Sequence, residues 1–145
     1  MNLKFFRLYG LTIVVSLFIM YTCMMSSDSI PKPSWIANLI NAPQWLTDNF
    51  DKIVHFGYYL ILAVAAGSDF YRQRTDYGTM KMYMWTLLYP ALLGGLIEVM
   101  QEYLTVSRSG DFLDLVADIS GAVVGYFIGK WLVPRYVKRE MAGLQ

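Results

Sequence analysis

Three carboxylates, Asp111, Asp114 and Asp118, stand in "DFLDLVADI" at the head of an apolar run that continues through "SGAVVGYFIGKWLV". An ionised group is costly in lipid, so residues of this kind mark places where a partner, a proton or a ligand is supplied. Two further stretches carry matching chemistry. "DKIVHFGYY" sets Asp51, His55 and Tyr59 at four-residue steps, and "GLIEVMQEY" sets Glu98, Gln101 and Glu102 within about one helical turn. His55 is the one histidine of the chain. An imidazole among carboxylates equips general acid and base catalysis, and equally ion binding or hydrogen-bonded recognition. Arg108, just ahead of the aspartates, offers a planar fork to phosphate or carboxylate.

Four apolar runs must position these groups: residues 8–25, 53–71, 83–104 and 112–133. Each is about 18–22 residues, enough to cross a hydrocarbon core of roughly 30 Å as a helix. Lipid leaves unpaired backbone groups unsatisfied, so helices are required. The predicted fold is an all-α, polytopic four-helix transmembrane bundle forming a single domain over residues 1–145. A turn of 100° per residue keeps Asp51, His55 and Tyr59 on one face of the second span. The three aspartates fall within an arc of about 60° on the fourth span. Below them Gly121, Gly125 and Gly129 continue that face as a small-xxx-small stripe, which predicts close helix packing there. Glu98 and Asp118 each lie about 9 Å deep, six residues from their span ends, and are expected to meet.

Composition agrees with a membrane protein. The chain is 56% hydrophobic and 16% charged, with nine Met, eight Phe, eleven Tyr and four Trp. A soluble domain would carry charge on about a quarter of its residues. A net charge of +1 gives no footprint for nucleic acid. A single cysteine, Cys23, excludes an intrachain disulfide and a Cys-rich metal site. The first run begins with Lys4 and Arg7, but "YTCMMSSDS" has no small-x-small cleavage pattern, so it reads as a span. Lys4, Arg7, Arg72, Arg74, Lys81, Lys130, Arg135, Lys138 and Arg139 fall on one side of this topology, and Lys32, Lys52 and Arg108 on the other. Positive charge gathers on the cytoplasmic side, so both termini are expected inside and the polar residues in the outer halves of their spans. In the long outer loop, "PSWIANLI" and "PQWLTDNF" suggest two short interfacial helices, each with proline at its first position.

Plainer roles stand beside the functional ones. Asp51 and Asp111 suit helix N-caps, Arg108 suits a loop staple to an aspartate, Glu102 suits solvent, and His55 suits a satisfied core hydrogen-bonder. Glu98 and Asp118 are the hardest to assign so, because their depth demands a proton, a cation or a hydrogen-bond network.

The three motifs together resemble the VanZ-like family of membrane proteins. "DKIVHFGYY" is similar to its DKxxHFxxY signature, "IEVMQ" to ExxQ, and "RSGDFLDLVADISGAVVG" to RxxDxxDxxxNxxGxxxG. The resemblance runs from Asp51 to Gly125 in matching order and spacing. It implies Asp51, Lys52, His55, Tyr59, Glu98, Gln101, Arg108, Asp111 and Asp114 as the family's polar positions. Asp118 stands where the pattern has Asn, and this extra carboxylate needs a proton or pairing with Arg108 or His55. The family is named for an association with resistance to the glycopeptide teicoplanin, and no settled activity comes with the name.

Several function classes remain open. An outward-facing polar pocket binding a lipid headgroup, a lipid-linked envelope precursor or a glycopeptide-related ligand is one. An intramembrane enzyme working on a lipid-linked substrate is another, although HExxH and nucleophile-elbow motifs are absent. A small ion-coupled transporter is a third, without the inverted repeat that would support it. A metal site using His55 and the carboxylates is a fourth, although it lacks a specific ligand spacing, and no cofactor is expected. The expected partners are membrane lipids or a phosphorylated headgroup at a cytoplasmic membrane.

Overall fold

The computed structural model describes residues 3–25, 43–73, 78–105 and 110–142, with side chains described in 8–25, 43–73, 80–105 and 110–134. Every described element is helical: α1 Leu3–Met24, α2 Gln44–Asp48, α3 Phe50–Arg72, α4 Gly78–Tyr83, α5 Tyr89–Leu104 and α6 Phe112–Ala142. A π-helical turn, Met84–Leu88, joins α4 to α5 without a break. Pro90 accounts for that widened turn. It has no N–H to give the carbonyl of Thr86 four residues back, and its ring would clash there.

Three helical stretches are long and apolar enough to cross a membrane: Phe50–Arg72, Met80–Leu104 and Phe112–Pro134. The apolar part of α1, Leu8–Met24, is shorter. Leu11, Val14, Leu17, Phe18 and Tyr21 of α1 nonetheless face outward, as do Phe127 and Trp131 of α6. Water would penalise so continuous an apolar exterior, whereas lipid accepts it. The segment "PSWIANLI" lies outside the described residues. In "PQWLTDNF" a five-residue helix forms, but Pro43 is its N-cap in extended conformation, with Gln44 taking the first helical position. None of its residues is buried.

α3 and α6 run parallel and pack most extensively. The close pairs advance together along both chains, from Gly121 against Phe56 and Leu60 to Gly125 against Leu60 and Ala63. A Cβ at Gly121 would collide with the carbonyl of Phe56, and one at Gly125 would sit 2.5 Å from that of Leu60. Backbone carbonyls cannot yield cheaply, so these two glycines allow the helices to touch. Gly129 is looser, its nearest neighbour being 3.9 Å from where a Cβ would lie. α1 and α5 run opposite to α3. The buried cluster Ile19, Cys23, Tyr59, Leu62, Ile97 and Ala122 joins all four helices.

Candidate functional site

This arrangement brings the start of α3, the end of α5 and the start of α6 to one end of the bundle. Lys52 and His55 are one turn apart on α3. The Lys52 ammonium donates to Asp111 Oδ2 at 3.0 Å and to Asp114 Oδ1 at 3.2 Å. Deeper in, His55 Nδ1 lies 3.0 Å from Asp118 Oδ1 and 3.8 Å from Glu98 Oε1, and its Nε2 lies 4.0 Å from Asp114 Oδ2. His55 is 2% exposed, Glu98 8% and Asp118 0%. Burial at this level makes each polar contact strong and each missing one expensive.

Some contacts are missing. Glu98 Oε1, Asp118 Oδ2 and the hydroxyl of Tyr59 are buried without a hydrogen-bond partner among the described residues. The other oxygen of Glu98 accepts the backbone N–H of Asp111 at 2.9 Å, which ties the end of α5 to the start of α6. Asp118 sits beside Gly94, where a Cβ would lie 2.8 Å from its Oδ2 and 3.3 Å from the ring of Tyr59. The small residue on α5 thus makes the space that the carboxylate occupies. Since Glu98 stands level with Asp111 and Gly94 with Asp118, the two acids are offset by about one turn, not at matching depth. Their side chains converge on His55 all the same.

The remaining expected residues divide. Asp111 is the N-cap of α6. Its Oδ1 accepts the Leu113 N–H at 2.8 Å, and its carbonyl accepts from Asp114 and Leu115. The Leu113 amide first, and then Lys52, hold the Asp111 carboxyl below the usual aspartate range. Asp51 is not a cap, because Asn49 holds that position. Asp51 lies in the first turn of α3, where a negative charge suits the helix dipole, and it comes within 4.8 Å of ligand atoms of His55 and Asp114. Gln101 points elsewhere: its amide donates to the carbonyl of Cys23 at 2.9 Å, satisfying an orphan group at the end of α1. Glu102 is exposed and accepts the Gly110 N–H. Arg108 lies outside the described residues.

Two residues carry more than their sequence setting suggested. Lys52, implied as a polar position by the resemblance but counted otherwise only for topology, is the cation nearest the acids among the described side chains. Asp69 corrects the expectation that deep polar residues gather in the outer half-spans alone. It is 2% exposed at the opposite end of α3, where its Oδ2 accepts both the N–H and the hydroxyl of Thr12 at 2.8 Å. No sequence pattern linked positions 57 residues apart.

The arrangement can bind a donor or a cation. Ligand atoms of His55, Glu98 and Asp118, one residue from each of three helices, all lie within 4.8 Å of one another. A family model described as VanZ/LLP1 matches residues 6–133. No curated protein and no solved structure matches the chain.

Proposed function

The chain belongs to the VanZ/LLP1 family, and from that footing we propose that it binds the polar headgroup of a membrane lipid or lipid-linked envelope precursor. In this reading α1 is a fourth span, both termini are cytoplasmic, and the His55 end of the bundle opens on the outer face of a bacterial cytoplasmic membrane. The nine-to-three division of Lys and Arg supports that orientation. A headgroup held there modulates the cell surface, and altered glycopeptide susceptibility is one form this takes.

One observation carries the proposal. Among the described residues, two buried carboxylate oxygens, on Glu98 and Asp118, stand without hydrogen-bond partners, at a bundle end where Lys52 pairs with Asp111 and Asp114 and not with them. Leaving such atoms unmet costs about 1–3 kcal/mol each, more when charged. A structural clasp would satisfy them internally, as the Asp69–Thr12 contact does at the other end. A ligand-binding site leaves them for its ligand.

A second reading has its own support. His55 lies between two carboxylates on different helices, a setting in which an imidazole can pass a proton to or from a bound headgroup. Both readings place the same demand on Glu98. Replacing it by Gln keeps the shape and the acceptor for the Asp111 amide but removes the titratable group. The test measures the phenotype of a deletion strain, such as lipid profile or glycopeptide susceptibility, with membrane abundance matched. Glu98→Gln and Arg108→Lys should each fail to complement. Full complementation by both well-expressed variants would return the cluster to a purely structural role.

A further inference from the structure

The aromatic cleft of Tyr9, Phe70, Lys81 and Trp85 and the Asp69–Thr12 clasp are the other unusual features. The cleft leaves the Trp85 Nε1 donor buried and unmet, but among the described residues neither feature leaves a buried carboxylate oxygen unmet as the His55 cluster does. The cluster has three properties that a solely hydrogen-bonded site lacks together. It joins one imidazole to two carboxylates, its members come from three separate helices, and two of its oxygens, with the nearby Tyr59 hydroxyl, are buried without partners among the described residues.

We propose that His55, Glu98 and Asp118 hold one divalent transition-metal ion, Zn2+ or Mn2+, at the core of the pocket. The donor set is borderline: imidazole favours zinc-like ions, and paired carboxylates extend the choice to manganese. The spacing agrees. With metal–ligand bonds of about 2.1 Å, neighbouring ligands stand about 3.0 Å apart in octahedral and about 3.4 Å apart in tetrahedral geometry. His55 Nδ1 lies 3.0 Å from Asp118 Oδ1 and 3.8 Å from Glu98 Oε1, so both histidine–carboxylate spacings come within about 1 Å of these values, and the three ligand atoms all lie within 4.8 Å of one another. His55 Nδ1 is the ligating nitrogen, because it faces both acids. Nε2 then carries its proton toward Asp114 Oδ2, 4.0 Å away, and an acid behind the imidazole is the usual means of orienting a metal-bound histidine.

Charge supplies the reason for an ion. A dication offsets the two buried carboxylates and removes the penalty of burying them unpaired. It also changes what the pocket accepts, since three protein ligands leave coordination positions open to an anionic oxygen. A phosphorylated headgroup becomes the matching class of ligand, a step that rests on the headgroup reading above. Asp118 is where the chain departs from its family's sequence pattern, so the site belongs to this chain and is not carried by the resemblance.

The test uses the tag-free, full-length protein in detergent, stripped with chelator and dialysed against ZnCl2 or MnCl2. Elemental analysis should find one ion per chain. The same ion at about a hundredfold excess over Kd should raise the apparent Tm by about 5–10 °C. Asp118→Asn and Glu98→Gln keep side-chain size and should unfold near the wild-type apo temperature, yet bind at least tenfold more weakly and show no Tm rise. Wild type that neither retains metal nor gains stability overturns the site, as does equal binding by folded variants. If metal fails while Glu98→Gln and Arg108→Lys still lose the cellular phenotype, the headgroup pocket survives without its ion. Stoichiometric metal with full complementation by both variants gives the converse, an ion site without a headgroup pocket.

Discussion

A single methyl group at Gly125 should destabilise the protein by about 1–3 kcal/mol, the usual range for overfilling a close contact. An ideal Cβ there would lie 2.5 Å from the carbonyl oxygen of Leu60 and 2.8 Å from Cβ of Ala63. Ordinary contacts to carbon begin near about 3.5 Å, so α6 must retreat from α3 by about 1 Å. Gly129, one turn along the same face, is the internal control. A Cβ there meets nothing closer than 3.9 Å, so Gly129→Ala has no clash to offset the gain of up to about 1 kcal/mol in helix propensity. The same chemical change should therefore have opposite signs at positions four residues apart. For a chain of this size, about 2–4 °C accompanies each kcal/mol. Gly125→Ala should lower the apparent Tm in detergent by roughly 2–12 °C, and Gly125→Leu by more. Gly129→Ala should leave Tm unchanged or slightly raised. Thermal unfolding followed by tryptophan fluorescence reads both. Equal Tm for Gly125→Ala, Gly129→Ala and wild type would refute the close α3–α6 contact, and with it the inward direction of the aspartates.

The Asp69–Thr12 contact is buried and doubly bonded, so Asp69→Ala should cost about 1–3 kcal/mol, and thermal unfolding should show a loss greater than that of Thr12→Ser. Lys52→Met should destabilise more than Asp111→Asn, because it strands the nearly buried Asp114 while the Asp111 contact is half-exposed and solvent-screened; chemical unfolding of the two variants gives the order. In intact cells an impermeant thiol reagent should label a cysteine at Ser107 and spare one at Thr75, with the buried Cys23 giving little background. The reverse pattern rules out the proposed orientation.

Much of this protein was legible along the chain because lipid simplifies the rules. Helices are obligatory, apolar length marks them, and a 100° step says which residues share a face, so Asp51, His55, Asp114, Asp118 and the glycines could be placed on faces directly. Depth was less accessible. Counting from span ends put Glu98 opposite Asp118, whereas the packing of α5 on α6 sets Asp118 against Gly94, one turn away. Register between helices depends on how side chains interlock, and periodicity within one helix carries no information about it. The same limit hid the destinations of Gln101 and Asp69, whose partners Cys23 and Thr12 lie on α1, far away in sequence. Convergence of His55, Glu98 and Asp118 was expected, but which of their atoms face one another was not legible. A ligand set within one helix leaves a spacing to be found, but a set drawn singly from three helices exists only once their relative heights and rotations are set by packing.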